Sequence, residues 1–238
     1  MIYDGRNGNN GMIKAVFFDI DNTLLSFREY VRASMKEGFD KFGIGRYTDE
    51  SYAVFNKIND RLWKSIEKGD LTLEGLKEIR WNMIFAELGM VYDGVAFENW
   101  FRDKLSVSAI PEEGALELLE YLSPKYTLCT ASNGPYDQQI NRLRIGGMFG
   151  YFTHHFISEK VGAHKPSREF FETCFRELEK TIPGILPQET VMIGDSKRSD
   201  VEGGRAYGMH TCLYSQKEED PGAADHVVSR LCDIKSFL

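Results

Sequence analysis

The sequence predicts an α/β protein whose core is a parallel β-sheet and whose chain is interrupted near its start by a separate helical subdomain. Short apolar segments recur along the chain, and segments with a helical hydrophobic period lie between most of them. One interval, residues 27–108, shows only the helical pattern. Because an interval of about 80 residues is far too long for a loop between a strand and a helix, it should fold as a subdomain.

The strands are predicted where short runs of β-branched, aromatic and other apolar residues occur. Such runs suit a parallel sheet, in which helices bury both faces of each strand. This arrangement is the Rossmann-like, doubly wound α/β fold. The predicted strands are 13–18, 126–131, 154–158, 190–194, 210–214 and 225–229. A helix is predicted at 167–180 from its apolar period, and another is predicted to open at Pro111, before two acidic residues.

The inserted interval should contain four amphipathic helices that are rich in aromatic residues. Three of these helices are followed by a glycine, a residue that often ends a helix, at Gly43, Gly69 and Gly89. The predicted organisation is a loose N-terminal tail at 1–11, a core at 12–26 and 109–238, and a helical cap at 27–108.

The composition disfavours a general nucleic-acid binder, whereas a few local groups can still hold a phosphorylated small molecule on a negative surface. The chain has 238 residues and a net charge of −7, without the basic stripe that a nucleic-acid binder uses to displace counterions. No apolar run approaches the ~20 residues that span a bilayer, and the polar start lacks the apolar segment of a signal peptide. The four cysteines are widely spaced. We therefore expect a cytoplasmic protein, monomeric or homodimeric, that binds neither nucleic acid nor membrane.

Polar residues follow the predicted strands at the edge where ligands bind in open parallel sheets. Two carboxylates follow the first strand, and a hydroxyl and an amide follow the second. A lysine precedes a proline after the third strand, and an acidic segment, "GDSKRSD", follows the fourth. The residues are Asp19, Asp21, Ser132, Asn133, Gly134, Lys165, Asp195, Ser196 and Asp200.

These residue types are suited to phosphoryl transfer. Clustered carboxylates without nearby cysteine or histidine favour Mg²⁺ over zinc, and the cation would also remove their mutual repulsion. A carboxylate can attack phosphorus, and a second one can protonate the leaving oxygen. A hydroxyl, the backbone amides after it and a lysine can hold the phosphoryl oxygens. Taken alone, Asp21 would be an ordinary turn residue.

At these positions the sequence resembles the haloacid dehalogenase-like superfamily of phosphohydrolases. "DIDNT" matches its first motif, "TASNG" the second, "HKP" the third and "GDSKRSD" the fourth. The resemblance implies that Asp19 is the nucleophile and Asp21 the general acid and base. Mg²⁺ would then be bound by Asp19, Asp195 and the backbone carbonyl of Asp21. Asp200 and Ser196 would support the metal or Lys165.

The resemblance also concerns phosphate binding and substrate. The hydroxyl of the second motif is placed at Ser132, with Thr130 as the alternative. The segment from this motif to "HKP" is similar to a branch that includes pyrimidine and noncanonical nucleoside 5′-monophosphate phosphatases. The helical insert resembles the cap of the first subclass, which closes over small substrates and excludes water. Arg80 is a candidate substrate contact, although the position favours an ordinary solvent-exposed helical arginine.

Several functions stay open on the sequence alone. The principal hypothesis is a Mg²⁺-dependent phosphomonoesterase acting on a nucleoside 5′-monophosphate. Within the same superfamily, a sugar-phosphate phosphatase, a phosphomutase or a pyrophosphatase would use the same residues. A phospho-accepting signalling module would form a different class, although such modules are shorter and need no cap. The cap aromatics Trp63, Trp81, Phe85 and Trp100 fit a hydrophobic core better than a base-stacking surface.

Overall fold

The computed structural model describes residues 12–216 and 222–238, and the predicted tail at 1–11 lies outside them. The six predicted strands are all present in one parallel sheet of order β3-β2-β1-β4-β5-β6. The α/β prediction is confirmed. The strands are β1 (Ala15–Phe18), β2 (Thr127–Ser132), β3 (His154–Ile157), β4 (Thr190–Gly194), β5 (His210–Tyr214) and β6 (His226–Val228).

The strand order of the sheet reverses at β1. β2 and β3 lie on one side of β1, and β4, β5 and β6 lie on the other. β1 pairs with β2 on one side and with β4 on the other, both in parallel register. In such a sheet the loops that leave the two central strands diverge and open a crevice at the carboxyl ends, which is where ligands bind. Asp19 follows β1 directly, and Asp195 follows β4.

Helices cover both faces of the sheet. On one face, Val16 and Phe18 of β1 pack with α5 (Ala115–Leu122), α6 (Tyr136–Ile145) and the C-terminal segment. On the other face, Ala15 and Phe17 pack with α8 (Arg168–Leu178). Successive strand residues point to opposite faces, so a wholly apolar strand is what a doubly covered sheet requires. The remaining core elements are α7 (Ser158–Val161), the π-helical segment Lys197–Glu202, α9 (Gly203–Tyr207) and 3₁₀ segments Phe149–Tyr151, Pro187–Glu189 and Leu231–Ser236.

Between β1 and α5 the chain forms four helices, which we call the insertion. They are α1 (Phe27–Phe42), α2 (Asp49–Glu67), α3 (Leu73–Glu87) and α4 (Gly94–Ser106). Their apolar faces meet in an aromatic core of their own that contains Trp81, Phe85 and Phe97. The glycines predicted to end three of the helices have positive φ angles of 61°, 80° and 65°, as helix-terminating glycines commonly do. The division of the chain into core and cap domains stays a prediction.

The predicted helix start at Pro111 is wrong. Pro111 forms an antiparallel bridge with Leu25, and α5 begins only at Ala115, after Gly114 at a positive φ of 80°. Proline and acidic residues favour a first helical turn, but here a tertiary contact with the chain leaving β1 uses the segment instead. The two connections between the insertion and the sheet thereby lie side by side.

Candidate active site

One cavity of about 230 Å³ lies at the carboxyl end of the sheet, between the strands and the insertion. Most of the residues predicted to form the site line it from the sheet side. These are Asp19, Asp21, Ser132, Asn133, Gly134, Lys165, Asp195 and Ser196. Residues that are up to 177 positions apart in the sequence (19 to 196) therefore meet around one space.

Lys165 is the buried centre of the cluster, with only 1% of its side chain exposed. Its ammonium group donates hydrogen bonds to Asp19 Oδ1 at 2.8 Å, to Asp200 Oδ1 at 2.6 Å and to the carbonyl oxygen of Ala131 at 2.5 Å. Burial acts to lower the pKa of Lys165, but the carboxylates of Asp19 and Asp200 outweigh it and hold the pKa above its ordinary value. The lysine is therefore a fixed positive charge beside Asp19.

Asp200 anchors that lysine from behind. Its Oδ1 accepts from Lys165, and its Oδ2 accepts from the backbone N–H of Ser196 at 3.0 Å. Gly194 makes room for it, since a Cβ at this position would stand 2.1 Å from Asp200 Oδ2. Of the two supporting roles that the sequence left open for Asp200, these contacts favour the anchoring of Lys165.

The carboxylates carry more negative charge than Lys165 can balance. Oxygens of Asp19, Asp195 and Asp200 lie within 4.8 Å of one another. Burial, with the nearby carboxylates of Asp200 and Asp21, raises the pKa of Asp19 to about 7 despite the opposing effect of Lys165. Burial and the neighbouring carboxylates likewise raise the pKa of Asp195. A cluster of carboxylate oxygens that is short of positive charge suits a divalent cation such as Mg²⁺.

Asn133 links the end of β2 to the lysine loop. Its Oδ1 accepts from the backbone N–H of Lys165 at 2.8 Å, and its Nδ2 donates to the Lys165 carbonyl, also at 2.8 Å. The side-chain amide thus fixes the backbone from which Lys165 extends. The phosphate-binding role of Asn133 and Gly134 stays a prediction.

Ser132 is arranged as a hydrogen-bond donor toward the cavity. Its Oγ accepts from the N–H of Gly134 at 3.2 Å and from Gln139 Nε2 at 2.8 Å. A hydroxyl has two acceptor positions and one donor, so the remaining O–H is the group that a phosphoryl oxygen can use. The alternative residue, Thr130, is fully buried, and its Oγ1 lies 3.4 Å from His155 Nδ1.

Asp21 lines the cavity and is held from α6. Arg142 Nη1 donates to its Oδ1 at 2.6 Å, and Gln139 Nε2 donates to its Oδ2 at 2.6 Å. The turn behind it requires Asn22, which adopts a positive φ of 60° and accepts a hydrogen bond from the backbone N–H of Arg28 at the start of α1. The turn-forming and site-forming interpretations of this segment are therefore compatible.

The insertion forms the opposite wall of the cavity. Its apolar part includes Phe27 and Trp63, and its polar part includes Asn59 and Arg102. Trp81 and Phe85 are buried in the aromatic core as predicted, whereas the partly buried Trp63 both packs on that core and lines the cavity. Burial lowers the pKa of Arg102, which the carboxylate of Glu98 partly offsets.

Arg80 lines the same wall, and the interpretation as an exposed helical arginine is wrong. It is 4% exposed, and its guanidinium donates to both carboxylate oxygens of Glu98, at 3.0 and 2.6 Å. It also donates to Asn59 Oδ1 at 3.1 Å, which leaves the NH₂ group of that amide as a possible donor to a ligand. Arg80 is thereby neutralised by Glu98 and orients Asn59.

One ion pair joins the insertion to the sheet across the cavity. Arg198, in the π-helical segment beside Asp200, lies 3.4 Å from the carboxylate of Glu67 at the end of α2. Burial raises the pKa of Glu67, against the effect of the Arg198 charge. Glu67 itself lines the cavity, so this contact lies at its edge.

Residues 13–208 match the sequence model of the haloacid dehalogenase-like hydrolases. The chain belongs to this family. HAD-hydrolase YfnB of Bacillus subtilis is 31% identical over 199 residues, which cover 84% of this chain and 83% of that protein. Pyrimidine 5′-nucleotidase PynA of Streptococcus pneumoniae is 30% identical over 206 residues, covering 85% and 84%. Pyrimidine 5′-nucleotidase YjjG of Escherichia coli is 27% identical over 226 residues, covering 94% and 96%.

Solved structures agree with the family assignment. The crystal structure of YfnB bound to magnesium matches this haloacid dehalogenase-like hydrolase with a TM-score of 0.83 at 28% identity, over 95% of this chain and 98% of that one. The L-2-haloacid dehalogenase of Xanthobacter autotrophicus matches with a TM-score of 0.73 at 18% identity, over 94% and 98%, which shows the shared fold. Every helix within residues 12–216 and 222–238 is too short or too polar to span a bilayer.

Gln139 and Arg142 are two residues at the site of this hydrolase that sequence reasoning missed, as it also missed Asn59 and Arg102 in the opposite wall. The first two are buried and lie one turn apart on α6, the helix that begins immediately after the second motif. The missed signal was a polar pair on the inward face of a core helix, where Ile140 and Leu143 supply the apolar positions. Polar side chains at buried positions need hydrogen-bond partners, and here the partners are the side chains of Asp21 and Ser132 at the ends of the strands.

Proposed function

We propose that this hydrolase is a Mg²⁺-dependent phosphomonoesterase that works through an aspartyl-phosphate on Asp19, with a nucleoside 5′-monophosphate as substrate. One observation carries the proposal: Asp19, Ser132, Lys165 and Asp195, from separate segments of the chain, line the same cavity as a second carboxylate, Asp21. Each group has a distinct task in phosphoryl transfer, and together they complete the set that the chemistry needs.

Asp19 is the proposed nucleophile. Lys165 holds its Oδ1, and Thr23 Oγ1 lies 3.4 Å from its Oδ2, so that the carboxylate has a defined orientation. Attack requires the ionised form, which the raised pKa near 7 disfavours until more positive charge is present. Mg²⁺, bound by Asp19, Asp195 and the backbone carbonyl of Asp21, would supply that charge and neutralise the phosphoryl oxygens.

Asp21 is the proposed acid and base. In the first step an oxygen of Asp19 bonds to phosphorus, the bond between phosphorus and the ester oxygen breaks, and Asp21 gives its proton to the leaving alcohol. In the second step a water oxygen bonds to phosphorus and Asp21 takes its proton. The bond from phosphorus to Asp19 then breaks, which releases phosphate and restores both aspartates. The hydroxyl of Ser132 and the ammonium of Lys165 stabilise the transferring group throughout.

The insertion side of the cavity supports a nucleotide. A flat base can stack on Trp63 or Phe27, and the amide of Asn59 can hydrogen-bond to its edge. Arg102 adds a cation to the cavity wall. The pyrimidine 5′-nucleotidase names of two relatives point the same way. We place the enzyme in the cytoplasm, where its substrate would be a small phosphorylated metabolite.

The test is phosphate release from a panel of phosphomonoesters, with Mg²⁺ and with EDTA. The panel contains uridine, thymidine and purine 5′-monophosphates, hexose phosphates, phosphoglycolate and pyrophosphate, and Asp19→Asn serves as the inactive control. Fast turnover of pyrimidine monophosphates that needs Mg²⁺ supports the proposal. A preference for sugar phosphates or pyrophosphate would keep the chemistry and reject the substrate. Uptake of one phosphoryl group per chain without turnover would identify a signalling module instead.

A further inference from the structure

Arg142 is a charged side chain buried in the core without any direct place in the chemistry described above. Only 1% of its side chain is exposed. A buried guanidinium is costly unless it is paired and its other donors are satisfied. Within residues 12–216 and 222–238, the carboxylate with which it forms an ion pair is that of Asp21, at 2.6 Å. The structure therefore places a fixed cation directly against the proposed proton donor.

The remaining donors of Arg142 set its position. Its Nε donates to the carbonyl oxygen of Ser108 at 3.1 Å, and its Nη1 also donates to Gln139 Oε1 at 2.8 Å. Asn141, its neighbour on α6, donates to the carbonyl oxygen of Ser106 at 2.7 Å. Both carbonyls belong to the segment at and after the end of α4, where the chain returns from the insertion to the sheet.

Gln139 completes the arrangement. Because Arg142 can only donate, it fixes the Gln139 amide with its oxygen toward the guanidinium. The NH₂ group is then directed to Asp21 Oδ2 at 2.6 Å and to Ser132 Oγ at 2.8 Å. The path is open because residue 134 is glycine, where a Cβ would stand 2.6 Å from Gln139 Nε2. The Gln139 amide thus fixes the orientation of both the Asp21 carboxylate, the proposed proton donor, and the Ser132 hydroxyl, the proposed phosphate ligand.

We propose that Arg142 is a positioning residue for proton transfer, which together with Gln139 holds the Asp21 carboxylate in place relative to Asp19 and ties it to the return segment at Ser108. Each carboxylate oxygen has two lone-pair directions, so one bond to each leaves a position at which the transferred proton can be carried. This inference rests on the proposed function, because it takes Asp21 as the acid and base.

The experiment compares two esters that differ in their need for an acid. From uridine 5′-monophosphate the nucleoside leaves as an alcohol, which requires a proton. From p-nitrophenyl phosphate the leaving group is a stable phenolate, which does not. Arg142→Met should lower kcat/KM for the nucleotide about 100-fold, within the range of general acid catalysis, and change kcat/KM for the aryl ester by less than about fivefold. Arg142→Lys should restore part of the loss. Arg144→Met, on the exposed side of the same helix, is the matched control and should change neither value.

A second readout follows from the base role of Asp21. When the acid and base is misplaced, the aryl ester should still phosphorylate Asp19, but hydrolysis of the aspartyl-phosphate should slow. Arg142→Met should therefore show a burst of nitrophenol approaching one equivalent per chain. If Arg142→Met does not fold, Arg142→Gln, which removes the charge but keeps a polar side chain, provides the same comparison of esters.

The outcomes separate this inference from the proposed function. Equal losses with both esters, or no loss with either, would overturn the positioning role of Arg142. Asp21→Asn is the reference, since it should show the full difference between the esters. If Asp21→Asn itself shows no difference between the esters, the acid assignment in the proposed function is wrong. If Asp19→Asn remains active, the proposed mechanism fails as a whole.

Discussion

The excess negative charge of the site leads to a prediction about stability that requires no substrate. In the metal-free protein, Asp19→Asn should raise the free energy of unfolding by an amount that grows with pH. Burial raises the pKa of Asp19 from 3.8 to about 7 in the folded protein. Between these two values the folded state binds a proton that the unfolded state has lost, so the stability of the wild type falls as the pH rises. Each pH unit between the two pKa values corresponds to about 1.4 kcal/mol, so the difference should approach about 4 kcal/mol near pH 8.

The comparison with the variant removes a contribution of the opposite sign. Burial lowers the pKa of four histidines, which makes stability rise with pH up to about 6.5 in both proteins. These histidines are His154, His155, His164 and His226. Lys165, whose pKa is raised, stays protonated in both folded and unfolded chains over this range. The difference between variant and wild type therefore reports the Asp19 carboxylate together with its repulsion of Asp195.

The assay is urea unfolding in EDTA at pH 5, 6, 7 and 8, repeated with Mg²⁺. A cation that binds the folded state needs ionised carboxylates, so Mg²⁺ should stabilise the wild type more at pH 8 than at pH 5. It should stabilise Asp19→Asn less at every pH. A stability difference that stays constant, or that shrinks as the pH rises, would refute the reasoning from buried like charges.

Three further substitutions test other parts of the structure. Gly194→Ala should lower both kcat and the melting temperature, because the new Cβ would displace the Asp200 carboxylate that holds Lys165. An unchanged kcat in steady-state kinetics would contradict this. Arg80→Met should lower the free energy of unfolding by about 3–5 kcal/mol in denaturant titrations, since it leaves Glu98 buried without its partner, and adding Glu98→Leu should recover most of the loss. Trp63→Ala should raise KM for uridine 5′-monophosphate about tenfold and leave glycerol phosphate unaffected; equal effects on both would argue against base stacking.

The fold was predictable because its signals are local. Apolar strands that will be covered on both faces, and helices ended by glycine, carry their pattern within a few residues, and both were located to within about three positions. The strand-end residues were predictable for a topological reason, since parallel strands present their carboxyl ends at one edge. At Pro111 the local sequence predicted a helix start, but a tertiary contact with Leu25 determines the conformation instead.

The buried polar partners were not predictable in the same way. Whether Arg80 is exposed depends on Glu98, which lies 18 positions away on another helix and shares its burial. Arg142 likewise pairs with Asp21 across 121 positions. A single sequence shows that these residues are charged, but no local pattern in it indicates which two charged residues from distant segments form a pair. Such pairs become visible only when the helices and strands have been packed.

The separate aromatic core of the insertion has a consequence for how such an enzyme can diversify. The side chains that stabilise α1 to α4, such as Trp81 and Phe97, form a different cluster from those that stabilise the sheet. The wall that would meet the variable end of the proposed substrate and the wall that would meet its phosphate are thus supported independently. Mutations at Asn59, Trp63 or Arg102 can alter which molecules are accepted without disturbing the scaffold that aligns Asp19 and Lys165. Mutations in the insertion can therefore change the substrate range while the rest of the chain retains the reaction.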